Sequence, residues 1–196
     1  TGDKRDGTIV AHQMDAFLDA GAYGGFRPGA VVGGIAHAGG CYRAEHARIS
    51  VSPIYTNNIP GGQMRAPGEP QGFFAAESHM DCVARKVGMD PYDFRMKNLM
   101  EDGDITLTGG HYQAIKAKET LKAAAKASGY SAAKAKYLGR GVAMGYRGPG
   151  GGTTSLKVTL DPAGAIVIHT CFFEQGTGTY TTLRQVVAEE RGWDPH

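Results

Sequence analysis

Cysteine is scarce in this chain. Its three residues, Cys41, Cys82 and Cys171, are odd in number and widely spaced, and no Cys-x-x-Cys pair occurs. That pattern argues for a reducing compartment and against a structural zinc site. His79 and Cys82 share a helix face, but two ligands three residues apart do not make a site. A packed Cys beside a partly exposed His is the plainer reading. Long apolar runs are also missing. Nothing approaches the roughly 20 residues of a membrane span, and the longest small-residue stretch, Gly29 to Gly40, is short and glycine-rich. No secretory pattern opens the chain, so a cytoplasmic location is expected. Neither sign of charge dominates. Lys and Arg number 21 against 19 Asp and Glu, for a net charge of +2. A dedicated nucleic-acid binder carries a concentrated basic patch, whereas the one basic cluster here, Lys116 to Lys136, is diluted with Ala and reads as a solvated helix face.

Glycine and proline are plentiful. The 30 Gly and nine Pro make up about a fifth of the 196 residues, against roughly an eighth in average usage. With 41% hydrophobic residues there is material for a core, which a disordered tail lacks, and the glycines show no collagen-like period. The length fits one large domain or two small ones. The chain begins at Thr1 and ends just after Trp193, and it is expected to be a piece of a longer polypeptide.

The pattern predicts mixed elements. Ile9 to Leu18 carries apolar residues on both faces, as a strand buried on both sides does. Gly21 to Gly29 is a loop, Val31 to Ala38 a short helix of small residues, and Arg48 to Tyr55 a strand interrupted at Pro53. Asn57 to Pro70 is a stiff loop. A helix follows over about Gln71 to Val87, with Phe73, Phe74, Ala76, Met80, Ala84 and Val87 inward and Gly88 as terminator. The next helix starts with Asp90 as N-cap, Pro91 at the first helical position, and Met89 and Phe94 placed for a hydrophobic staple. It ends near Met100. Glu101 to Gly110 is the predicted domain boundary. A helix over about Gln113 to Ser128 shows a face of Ala114, Ala117, Leu121 and Ala124. From Gly139 the period becomes two. Strands are expected at Gly141 to Tyr146, Leu156 to Leu160 and Ala165 to Thr170, then a helix from Thr179 to Glu190. The whole reads as α+β in two mixed lobes, 1–108 and 109–196.

Two segments are candidates for chemistry. In Glu174-Gln175-Gly176-Thr177-Gly178-Thr179 a strand ends, two glycines bracket a Thr, and a helix begins. Free N–H groups at a helix start attract anions, and glycine lets a ligand approach the backbone. A phosphate is the natural partner. The competing reading is a tight turn with Thr as N-cap, and a lone Gly-x-Gly does not decide between them. In Met64-Arg65-Ala66-Pro67-Gly68-Glu69-Pro70-Gln71 a cation sits between rigid turns just before a helix. It is either a functional loop or an ordered connector whose Arg pairs with a surface acid. Gly139-x-Gly141 lacks the third glycine of a dinucleotide fingerprint. Gly148 to Gly152 precedes a strand, not a helix, and reads as a flexible link.

An ordered series of motifs resembles the molybdopterin-binding large subunit of the xanthine dehydrogenase and aldehyde oxidase family. It runs from Asp19-Ala20-Gly21-Ala22-Tyr23-Gly24-Gly25 through Tyr55-Thr56-Asn57-Asn58 and the Arg65 segment to Glu77-Ser78-His79-Met80-Asp81. Gly88-Met89-Asp90-Pro91, Phe94-Arg95 and Asn98-Leu99 follow, and Glu174-Gln175-Gly176-Thr177-Gly178 closes it. The resemblance implies an oxidoreductase that hydroxylates carbon with water as oxygen source. It implies molybdopterin, as the cytosine dinucleotide, with molybdenum. Two-iron two-sulfur clusters and FAD are implied on a small and a medium partner subunit or on other domains. It implies that 1–108 is the end part of one molybdopterin-binding domain and 109–196 the beginning of a second. By position, Arg65 and Ala66 would contact the pterin, and Gln175, Gly176, Thr177 and Gly178 its phosphate region.

Departures from the family pattern narrow the substrate. Purine-hydroxylating members place aromatic residues where this chain has Pro67 and, counting back from Glu174, Met144, which points away from xanthine. Ala66 stands where a carbon monoxide dehydrogenase has Cys. An aldehyde, an aromatic N-heterocycle or an aryl-CoA thioester remains open. The family's Gly-Gly-Phe molybdenum loop and its general-base Glu lie outside this stretch, so no catalytic residue is expected here and the piece alone should be inactive. Self-association through uncovered apolar faces is expected. The alternatives are a 4-hydroxybenzoyl-CoA reductase type of subunit, running the reverse chemistry, and a non-enzymatic α+β interaction module.

Overall fold

The computed structural model describes residues 1–23, 29–37, 39–111, 113–147 and 152–194. Ala38, most of the Gly21 to Gly29 loop, the Gly148 to Gly151 link and the last two residues lie outside that set.

The chain forms two compact units, Thr1–Arg147 and Gly148–His196. In the first, β1 (Gly2–Asp3) pairs antiparallel with β2 (Ile9–Gly21), and β2 pairs parallel with β3 (His46–Tyr55), giving a sheet in the order β1-β2-β3. Parallel neighbours need a crossover, which here carries α1 (Gly29–His37). The sheet is not buried on both faces as the pattern predicted. Gln13, Asp15, Phe17 and Asp19 form an exposed row, and Phe17 is 77% exposed. Among the described residues nothing covers that side.

Two helices supply most of the core. α2 (Glu69–Lys86) starts two residues before the predicted point and buries Ala76, Met80, Val83 and Ala84, while Phe74 faces out. α3 (Pro91–Asn98) begins as its capping sequence dictates: the Asp90 carboxylate accepts the Tyr92 N–H at 2.7 Å. The core joins Ile9, Cys41, Tyr42, Met80, Val83, Ala84, Phe94, Leu99 and Leu121. Asn98 locks α3 to the start of β2, accepting the Ile9 N–H and donating to the Gly7 carbonyl, both at 2.9 Å. Burial pushes the Cys41 thiol up to about 12, with the nearby Glu77 carboxylate adding to the shift.

α4 (Ala117–Ala127) starts four residues later than predicted. Ala114 takes a left-handed φ of 57°, and the Asp102 carboxylate holds the Ile115 N–H, so the chain enters the helix from a turn. Only Leu121 of α4 is buried. Ala117 and Leu121 of α4 and the alternate residues Val142, Met144 and Tyr146 pack on the α2–α3 core, and the first compact unit runs to Arg147.

The second unit is a hairpin and a helix. β4 (Lys157–Leu160) pairs antiparallel with β5 (Ile166–His169) through the Asp161–Gly164 turn, where the Gly164 N–H reaches the Asp161 carbonyl at 3.0 Å. α5 (Thr179–Arg191) follows, closed by the left-handed Gly192.

Candidate cofactor site

Arg65 is exposed on the loop entering α2. That loop is tightly determined. Ala66 has a left-handed φ of 58°, as has Gly68 at 82°. A non-glycine residue in that region is a strained position that the surroundings must enforce. Here α1 enforces it at backbone contact. A Cβ on Gly34 would lie 1.9 Å from the Pro67 carbonyl oxygen, and one on Gly68 would lie 2.2 Å from that of Val31. The Glu69 N–H closes the turn on the Ala66 carbonyl at 3.1 Å. A second brace lies beyond β3. Asp19, at the end of β2, accepts from Thr56 Oγ1 and Asn58 Nδ2, each at 2.5 Å, and from the Gly21 N–H at 2.9 Å. These hydrogen bonds hold the Asp19 carboxyl below the usual range. Two segments that the sequence singles out separately are therefore one structure.

Behind the loop lies a buried polar network. Arg95 is fully buried. Its Nε donates to Glu77 Oε2 at 2.8 Å, its Nη2 to the Glu77 carbonyl at 3.1 Å, and its Nη1 stands 2.7 Å from Asp81 Oδ1. The Tyr42 hydroxyl donates to Glu77 Oε1 at 2.6 Å, and the Met144 N–H donates to Glu77 Oε2 at 2.9 Å. Met144 sits in an extended stretch that has no strand partner among the described residues, so the strand predicted at 141–146 is not formed. The Met144 amide bonds to a side chain of α2 instead. The period of two survives as burial, with Val142, Met144 and Tyr146 packed inward. Tyr146, which no motif singles out, lies with its ring centroid 6.5 Å from that of Phe73, edge-on.

In the second unit, the turn before α5 has the geometry of an anion cradle. Gly176 and Gly178 are left-handed, at φ 81° and 78°. The N–H groups of Thr177 (2.6 Å) and Gly178 (3.0 Å) converge on Glu174 Oε1, and that of Tyr180 (3.4 Å) on Oε2. Partial desolvation alone would raise the Glu174 pKa. The backbone N–H bonds of Gly178, Thr177, Tyr180 and Gly176 outweigh it and hold the carboxyl below its ordinary value. The predicted Thr N-cap does not form, since Gly178 is the cap residue and no side chain caps the helix. Thr177 and Thr179 pair through their hydroxyls at 2.9 Å. The N–H groups of the turn therefore converge on an anion, the chain's own Glu174 carboxylate. The sequence marks Glu174 only as part of a motif, though a Glu shortly before a Gly-flanked helix start is the signal that finds it.

Arg65, Ala66, Pro67 and Met144 thus belong to the first unit, and Gln175, Gly176, Thr177 and Gly178 to the second. The family model described as molybdopterin cofactor-binding domain matches residues 1–99, and a second model of the same description matches residues 113–196. The chain belongs to the molybdopterin cofactor-binding domain family. It is 31% identical over 186 residues to the aldehyde oxidoreductase of Megalodesulfovibrio gigas, covering 89% of this chain and 20% of that protein. It is 30% identical over 210 residues to the xanthine dehydrogenase molybdenum-binding subunit of Escherichia coli O157:H7, covering 97% and 27%. Quinoline 2-oxidoreductase from Pseudomonas putida 86 superposes with a TM-score of 0.77 at 26% identity, over 94% of this chain and 27% of that one. The chain thus spans about a quarter of the length of these relatives.

Proposed function

We infer that this chain is a portion of a molybdenum hydroxylase large subunit that oxidises an aldehyde or an aromatic N-heterocycle. Residues 1–108 form the end part of one molybdopterin-binding domain and residues 109–196 the beginning of the next. The division between the two matched family models, 99 to 113, supports that boundary. The names of the relatives, an aldehyde oxidoreductase and a quinoline oxidoreductase among them, support the substrate classes. One observation carries the cofactor reading: the convergence of backbone N–H groups on a carboxylate at the Gly176–Gly178 turn, which is the donor set a phosphate needs.

The residues present fit the group. The N–H groups of Gly176, Thr177 and Gly178 and the hydroxyl of Thr177 would hold the phosphate region, with Gln175 beside them and Glu174 turned away. Arg65 and the Ala66 backbone would hold the pterin, on a loop that α1 keeps from relaxing. When bound, the molybdenum group accepts electrons from the substrate carbon. This chain's part is to bind and orient. Pro67 and Met144 face substrate, and neither is a stacking ring. The cofactor is the cytosine dinucleotide form, and electrons leave through two-iron two-sulfur clusters and FAD on partner subunits of a cytoplasmic complex. The naming of a relative as a molybdenum-binding subunit supports a multi-subunit assembly. Among the described residues no helix is long and apolar enough to cross a membrane.

The test is to express the complete polypeptide with its partner subunits and measure bound molybdenum and the nucleotide released from the pterin. One molybdenum and one cytidine nucleotide per large subunit are expected. An assembled complex with neither overturns the reading.

A further inference from the structure

The stretch 141–147 is fastened to one stripe of α2. Glu77 accepts the Met144 N–H at 2.9 Å. One turn earlier, Phe73 packs edge-on against Tyr146, and a Cβ on Gly145 would touch its ring at 3.8 Å. One turn earlier again, Glu69 forms an ion pair with Arg147. Residues spaced by four along a helix share a stripe. Glu69 to Glu77 spans about 12 Å of helix axis, and Met144 to Arg147 spans about 10 Å of extended chain. The two lengths match, so the stretch runs antiparallel to α2 with both ends held. Both acids are buried, at 7% and 6% exposure, whereas the Arg147 side chain is 68% exposed. The guanidinium therefore reaches in from the surface to a carboxylate that has little other solvation.

The position of Glu69 gives this pair its importance. It is the first residue of α2, directly after the Ala66–Gly68 turn, and it lies two residues from Pro67. Arg147 lies three residues from Met144. We propose that the Glu69–Arg147 ion pair is a clasp that sets the spacing between the Arg65 loop and the 141–147 stretch, and so sets the fit of substrate between them. The inference rests on the reading above that Pro67 and Met144 face substrate. Glu69 and Arg147 are positioning residues, since they act through the segments they join. Glu69 lies in the Arg65 motif and Arg147 in neither cofactor motif, so the clasp is read through substrate fit, with cofactor content measured beside it.

The experiment uses the full-length subunit in its assembled complex, with Arg147→Ala, Glu69→Ala, the double variant and Arg147→Lys. Amide hydrogen exchange of residues 64–68 and 141–147 is read beside molybdenum and pterin content. In Arg147→Ala, exchange rises about tenfold in both segments. The double variant adds little to either single change, because the two residues act as a pair, and Arg147→Lys restores most of the protection. With acetaldehyde, benzaldehyde and quinoline as probes, KM rises about three- to tenfold for each one oxidised, with kcat kept. Unchanged exchange at 64–68, or additive effects in the double variant, overturns the clasp even where every complex carries its cofactor. Absence of cofactor from the wild-type complex overturns the reading beneath it, and the exchange pattern still decides the clasp.

Discussion

Arg95 has no exposed surface, and each of its three guanidinium nitrogens has an oxygen within reach. Besides Glu77 and Asp81, Nη1 reaches the Pro91 carbonyl at 3.1 Å. Burial disfavours the cation, but the neighbouring Tyr42 and Glu77 oxygens outweigh that and push its pKa up. Breaking such a pair from one side leaves charge buried without a partner. Arg95→Met should cost about 3–5 kcal/mol in urea unfolding of the subunit, and a loss under about 1 kcal/mol would contradict the network. His12 offers the opposite case. Burial, with His79 adding to it, lowers its pKa from 6.5 to about 4. The folded chain therefore binds the proton less well than the unfolded one. The stability this gives is complete above about pH 6.5 and is lost as pH falls from there through 4. Denaturation midpoints measured between about pH 5 and 7 should fall in the wild type and fall less in His12→Gln. Parallel curves would show that His12 is not the group.

At the scale of elements, the turn between the Arg65 loop and α2 is a strained one. Gly68→Ala meets two penalties, a left-handed φ and a Cβ 2.2 Å from a backbone oxygen of α1. A cost of at least about 2 kcal/mol is expected, together with loss of bound molybdenum from the assembled complex. Full retention would mean that α1 yields and the loop is less fixed than described. The start of α3 is readable from Asp90-Pro91 because a cap is a contact between near neighbours in sequence. The 141–147 stretch is not. Its alternation is a strand's, but its partners are Glu69, Phe73 and Glu77, far back along the chain on a helix, and no local pattern encodes them. The same holds for β2. Apolar residues at Phe17 and Leu18 read as two buried faces, yet among the described residues one of those faces is open. At the Gly176–Gly178 turn the pattern leaves an anion site and a plain turn both open, and what it leaves out is that Glu174 fills the place.

The whole molecule repeats this at larger scale. Phe17, Ile59, Met64, Phe74 and Tyr137 are all strongly exposed. On the reading that this chain is a portion of a longer subunit, those faces are where the rest of the subunit would pack. The 196-residue chain alone should sediment as oligomers in the micromolar range, while the complete polypeptide in its complex should not. A monodisperse monomer of the short chain would refute this.

The fastening of residues 141–147 also decides which changes of chain length the molecule tolerates. A strand in a ladder that slips by two residues finds new backbone partners of the same kind. A stretch held by Glu77 at one end and Glu69 at the other finds none, because the holding groups are single side chains at fixed heights on a helix. Between Ser131 and Gly139, before the first fastening, an added residue bulges into solvent at small cost. Between Met144 and Arg147 the same addition releases one end or the other. Length variation in full-length relatives of this chain should therefore fall on the first side of Met144 and be rare on the second.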